Sequence, residues 1–355
     1  GNSVSNAVFT ESRVVSAPGS AISLVASQVT LSNLTITNAG AAGIHLSDSD
    51  ATITDVTITG DGTTAGTDGV RGETAATSRT ITLENLTVSN VTDAGVELNV
   101  NAAGTLTASI SGTSSLSAAG NALDAETTAG STGDLLLGVS DTSVTPSGAA
   151  GMRLDGSAGS GALTVTGFSG NSVSAAATGG ILVNTVTFDS DPSTSLIDPV
   201  SGGNLAISAT GDGLQMLSPA GALAFEALTI ANSGGTGLSV DTTPAATEFQ
   251  LSSETGSIDS TGGPALDLVN LEIDLSFDSV ISTNSPTTGI TLDTVGGSLA
   301  ITETTITDSA GTGIVVLNSL ALAPRYVVLP HHTDPGHDGG HYMSQLIDGH
   351  HFAWL

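Results

Sequence analysis

Cysteine and lysine are both absent from the 355 residues, and arginine supplies all five basic side chains against 34 acidic ones. Without cysteine no disulfide can brace the chain, and the redox compartment is left open. Without lysine there is no Schiff-base chemistry at a lysine amine and no lysine–asparagine crosslink. A net charge of −29 excludes nucleic acid as a partner, because neutralising phosphates requires basic side chains. It equally disfavours docking on an anionic membrane surface. No apolar run is long enough to span a bilayer as a helix, so membrane insertion by this segment is not expected. Such an acidic surface suits salt-rich water, where self-repulsion is screened over roughly 10 Å or less.

Aromatics are scarce as well, at 3% of the chain, while apolar residues as a whole reach 39%. That combination supplies a core of Ala, Val, Ile and Leu without the large plugs of a globular interior. It fits a narrow solenoid in which small and β-branched side chains stack layer on layer. The 45 glycines follow no Gly-X-Y period, which excludes collagen. The apolar content is too high and too periodic for disorder.

What is present is a repeat. A glycine followed by an apolar-x-apolar strand start recurs at Gly43-Ile44-His45-Leu46, Gly95-Val96-Glu97-Leu98, Gly151-Met152-Arg153-Leu154 and Gly237-Leu238-Ser239-Val240. Related anchors stand at Gly19, Gly69, Gly120, Gly180, Gly213, Gly263, Gly289 and Gly313. The interval is 24 residues from Gly19 to Gly43 and 33 from Gly180 to Gly213. Between anchors lie paired short strands broken by a two-residue bend, as in Leu31-Ser32-Asn33-Leu34-Thr35-Ile36 and Leu83-Glu84-Asn85-Leu86-Thr87-Val88. Period-2 alternation turns the apolar residues inward and Ser and Thr outward. Each repeat then reads as one coil of three strands and three turns, and the chain as about twelve coils. The anchor glycine is expected to supply φ > 0 at a corner. Asn33 and Asn85 stand at equivalent bends, as left-handed turn residues or as rungs of an amide ladder. Longer intervals after Gly120, Gly151 and Gly180 predict loops inserted in three successive coils, clustered on one face. The clearest is Phe188 to Pro199.

On these anchors and strand segments, residues 15 to 318 resemble the right-handed parallel β-helix superfamily, and in particular repeat-containing bacterial surface proteins and autotransporter-like passenger domains. The resemblance implies an all-β, right-handed parallel β-helix over residues 19–318. Residues 1–18 are expected to be an N-terminal cap or the continuation of a preceding coil. Residues 319–355 form a distinct His- and aromatic-rich segment. A chain opening at Gly1 without a secretory leader reads as a mature or excised piece. Activity does not follow from the architecture. Hydrolases of the superfamily share Asn-Thr-Asp, Asp-Asp, Gly-His-Gly and Arg-Ile-Lys segments, and none occurs here. Its lyases need a basic residue beside calcium-binding carboxylates. Only Arg71, Arg79 and Arg153 lie well inside the coils, and none sits in a dense acidic cluster in sequence. Stacking of coils is what would bring distant carboxylates to them.

Two carboxylate pairs have the spacing of residues that share a strand face, Asp48 with Asp50 and Asp189 with Asp191. They are candidates for acid–base work or, with Asp61 and Asp68 near turns, for a structural Ca2+. No cofactor is required by any motif. His45 alternates with Ile44 and Leu46 and is expected to face solvent. The remaining histidines crowd the last segment, where His331, His332, His337 and His341 are candidate transition-metal ligands. Tyr326, Val328, Leu346, Ile347, Phe352 and Trp354 are candidates for a cap over the final coil or for a plug into a neighbouring copy. The expectation is therefore an extracellular or cell-surface solenoid, not an enzyme, acting as a stalk or binding module. Its partners would be surface glycans or further copies of itself in a fibre, and a polysaccharide lyase or hydrolase is the third reading.

Overall fold

A computed structural model describes residues 7–322 apart from positions 246 and 320. The candidate cap and metal residues between Tyr326 and Trp354 lie outside the described residues. Within them the chain is all β, with no helix, and winds as a parallel solenoid of about twelve turns. Three strands make a typical coil. Gln28–Ser32, Thr35–Ala39 and Ala42–Ser47 lie on the first, second and third faces in turn. The third face is a 12-stranded sheet running from Ile22–Val25 to Ile314–Leu317. In the later coils one long strand, such as Ala220–Asn232 or Phe249–Thr261, covers the first two faces together. Those two faces therefore join as a single 21-stranded sheet.

The register follows the alternation in the sequence. On the second face Ile36 pairs with Ile58, Ile58 with Val88, Leu116 with Val144 and Val144 with Val173. On the third, Ile44, Val70, Val96, Leu123 and Met152 form one stack. These side chains are almost wholly excluded from water, at about 25 cal/mol for each Å² of apolar surface removed. From Phe168 onward the core admits aromatics, and Phe188 packs on Phe249 with ring centroids 5.8 Å apart.

Two expectations are corrected here. None of the anchor glycines between Gly43 and Gly289 has a positive φ, whereas Asn33 (52°), Asp55 (55°), Asn85 (52°) and Asp141 (50°) do. The left-handed corner between the first two faces is taken by Asn and Asp, whose short polar side chains tolerate it, and by the non-anchor glycines Gly112 (71°) and Gly170 (67°), which stack on Asn85 and Asp141. Asn85 also donates its amide to Asp55 Oδ1 at 3.0 Å, so turn residue and ladder rung are the same residue. The anchor glycine answers a different demand, close approach between coils. A Cβ on Gly69 would stand 2.4 Å from the Gly95 carbonyl oxygen, and one on Gly95 2.5 Å from that of Ala122. At Gly19, Gly120 and Gly263 the stacked position falls two residues on. Ala21, Ala122 and Ala265 occupy it, and only the carbonyls of Ala122 and Ala265 meet the glycines below.

The second correction concerns insertions. Loops 128–134 and 156–162 both bridge the third face to the first and stack through Ser160 N–H donating to the Ser131 carbonyl at 2.9 Å. Loop 189–199, the clearest in sequence, instead interrupts the first face, between Phe188 paired with Gly221 and Val200 paired with Leu223. Shorter loops at 75–78 and 101–105 extend the first stack downward, held by Gly104 N–H to Ala75 and Gly133 N–H to Ala102 carbonyls. Coil length alone does not reveal them.

Candidate functional site

Outward-pointing residues of the third face form two columns. One runs His45, Arg71, Glu97, Asp124, Arg153 and the other Ser47, Glu73, Asn99, Glu126, Asp155. Parallel pairing fixes successive members at roughly 4.8 Å, so residues some 26 to 29 apart in sequence become direct neighbours. Arg71 Nε lies 2.6 Å from Glu73 Oε1 and 3.4 Å from Glu97 Oε2, and His45 Nε2 stands 3.1 Å from Glu73. Arg153 reaches three carboxylates at once, Asp124 at 2.7 Å, Glu126 at 3.0 Å and Asp155 at 2.9 Å. Asn99 donates to Glu97 at 2.7 Å, Asn101 to Glu73 at 3.3 Å and Asn121 to Asp124 at 2.8 Å.

Burial raises two carboxyls of this patch. Asp68, at the start of strand Asp68–Thr74, is pushed up to about 7 by burial first, opposed by the Ala94 N–H it accepts at 3.1 Å and reinforced by the charges of Glu97 and Asp93. Asp124 is raised by burial although Asn121 and Arg153 pull it down. Asp68, Glu73, Glu97, Asp124, Glu126 and Asp155 place six carboxyls against two arginines, and both guanidinium groups are already engaged. The patch therefore offers acceptors to ligands rich in hydroxyl or amine donors and repels polyanions. The stacked loops 75–78, 101–105, 128–134 and 156–162 border it on one side.

The residues singled out in sequence take other places. Asp48 occupies a left-handed corner (φ 49°) and Asp50 opens the next strand, so a bend separates them. Both approach Arg79, at 3.9 and 3.3 Å, and their oxygens accept the Ala75 and Thr80 N–H groups. Asp189 is buried and accepts from the Asp191 and Asp198 backbones, closing loop 189–199, while Asp191 accepts from Ser193. Asp61 is half-buried and held near 2 by hydrogen bonds from the Thr64 side chain, then the Thr64 and Thr63 backbones. Among the described residues no group of three or more His, Asp or Glu is placed to hold a metal ion. The Arg71 and Arg153 clusters were not assembled in sequence. The signal was the anchor itself, since residues of the first column stand two, and those of the second four, after a glycine or alanine of the stack.

Arg153→Met leaves three carboxylates facing one another without their cation. The expected loss is about 2 kcal/mol, between the range for exposed pairs and that for buried ones. It should deepen at pH 8 relative to pH 4 and shrink in 1 M salt. Urea denaturation across those conditions reads it.

Comparison of the chain with protein-family models, with curated proteins and with solved structures gives no match.

Proposed function

We propose that the chain is an extracellular, rigid β-solenoid that works as a surface stalk carrying a glycan-binding face, in the manner of autotransporter-like and adhesin passenger domains. The observation that carries this is the single apolar core continuing through every described coil, which leaves no hinge between them. About twelve rungs at roughly 4.8 Å make a body on the order of 5 nm long. Its mixed Arg–carboxylate patch supports the binding role, because hydroxyl-rich ligands pair with fixed acceptors whose side chains are already ordered. On a glycan array the full chain is expected to retain neutral or amine-bearing glycans over polyanionic ones. Glu97→Gln with Asp124→Asn should abolish that retention. Equal binding by the double variant, or preference for polyanions, contradicts the assignment of the face.

A further inference from the structure

The second face differs from the third in carrying no charge over six successive coils. Its outward–inward–outward triplets are Thr-Ile-Thr at 35–37 and 57–59, Thr-Val-Ser at 87–89, Ser-Leu-Ser at 115–117, Ser-Val-Thr at 143–145 and Ser-Val-Ser at 172–174. The central residue is buried in every case. The first column is in continuous register, Thr35 on Thr57, Thr57 on Thr87, Thr87 on Ser115, Ser115 on Ser143 and Ser143 on Ser172. In the second column Thr37 pairs with Thr59, Thr59 with Ser89 and Ser117 with Thr145. The Thr145 and Ser174 hydroxyls approach to 3.1 Å. All twelve positions are hydroxyl residues in a chain with a net charge of −29. The neighbouring faces place Asp50, Glu84, Arg71 and Glu97 at comparable outward positions.

We propose that this face binds ice. Three physical arguments lead there. Parallel pairing sets the hydroxyl rows roughly 4.8 Å apart along the axis and roughly 6.7 Å apart across it, on a sheet whose buried core prevents drift. Recognition of a soluble macromolecule uses aromatic and arginine anchors that can be desolvated, and this face has none. One hydroxyl exchanging one water partner for another gains little. A ligand that is itself a lattice engages many hydroxyls together, and the gains then accumulate without further loss of translational freedom. Crystalline water is the periodic ligand whose donors and acceptors complement hydroxyls. Charged side chains would hold their own hydration shells against it. The cross-rung contacts Thr59–Ser89 (3.3 Å) and Thr145–Ser174 (3.1 Å) leave each hydroxyl pair with capacity for further bonds.

This inference goes beyond the stalk reading and uses a different face. The test is growth of single ice crystals in a solution of the full chain, read as faceting and as the gap between melting and growth temperatures. The chain is expected to facet the crystals and open a gap. Thr57→Tyr with Ser115→Tyr, bulky groups at outward positions, should remove most of the gap at unchanged melting temperature of the protein. Thr107→Tyr on the first face should retain it, and added salt should leave the dependence on the second face intact. Folded protein that opens no gap overturns the proposal, as does equal loss in both sets of variants. Retention on crystalline chitin or cellulose that is lost in Thr57→Tyr, without any effect on ice, also overturns it by assigning the lattice to a polysaccharide. Glycan binding through Glu97 and Asp124 is unaffected by any of these results, so the two readings fail separately.

Discussion

Replacing Asp68 by Asn is expected to stabilise the protein at pH 8 and to leave its stability unchanged at pH 4. The folded carboxyl keeps its proton up to about pH 7, because burial and the adjacent Glu97 oppose the charge, whereas an unfolded aspartate releases it near 3.8. Between those values the folded state binds more protons than the unfolded one, so stability falls as pH rises through that window and levels off above it. The two pKa values bound the loss at about 4 kcal/mol. Sharing of the proton field with Glu97 brings the expected gain of the variant to about 2 kcal/mol. Asn keeps an acceptor for the Ala94 N–H and cannot ionise, so it removes the slope and not the contact. Urea midpoints of both proteins at pH 4, 6 and 8 decide the matter. A displacement of equal size at every pH would mean that Asp68 acts through shape alone.

The second large effect belongs to the glycine stack. In Gly69→Val the new side chain begins 2.4 Å from both the Gly95 carbonyl and Val88 Cγ1, two atoms of the next coil that cannot retreat without opening the rung. The expected cost is about 3 kcal/mol, the upper part of the range for overpacking. Ala122→Gly, at the same stacked position, should cost less than about 1 kcal/mol. Each coil contacts only its neighbours, so the damage should stay local. Hydrogen exchange is expected to accelerate in strands Asp68–Thr74 and Val96–Val100 while strand Ile290–Asp293 keeps its protection. Uniform acceleration along the chain would contradict a nearest-neighbour solenoid.

Architecture was legible because the coil imposes one period on every level of the sequence. Inward Ile36, Ile58 and Val88 and outward Thr35, Thr57 and Thr87 could be aligned before any coordinates. The reason for the anchor glycine was not legible. Sequence shows that a Cβ is avoided, and both a left-handed corner and a close carbonyl produce that avoidance. Only the contact between Gly69 and Gly95 separates them. The carboxylate pairs chosen from spacing, Asp48–Asp50 and Asp189–Asp191, are divided by bends that a period-2 argument does not detect. The Arg153 cluster, by contrast, was written in the repeat. Aligning Ala122 and Gly151 as one stacked position places Asp124 beside Arg153 directly. What hid it was the choice of Gly120 as the anchor of that coil, a shift of two residues that preserves the face and loses the partner.

The central claim is that the coils form one straight, unhinged stack, and distances between spin labels test it most directly. The chain has no cysteine, so labels go only where cysteine is introduced. Thr57→Cys with Ser172→Cys spans four rungs of the second face and should give a narrow distribution near roughly 19 Å plus the label arms. Ser23→Cys with Thr291→Cys spans ten rungs of the third face and should give one near roughly 48 Å. Distances that grow in proportion to rung number, with narrow widths at both spans, are the predicted result. A broad or bimodal distribution at the longer span, or one much shorter than the rung count requires, would show a hinge and contradict the rigid stalk.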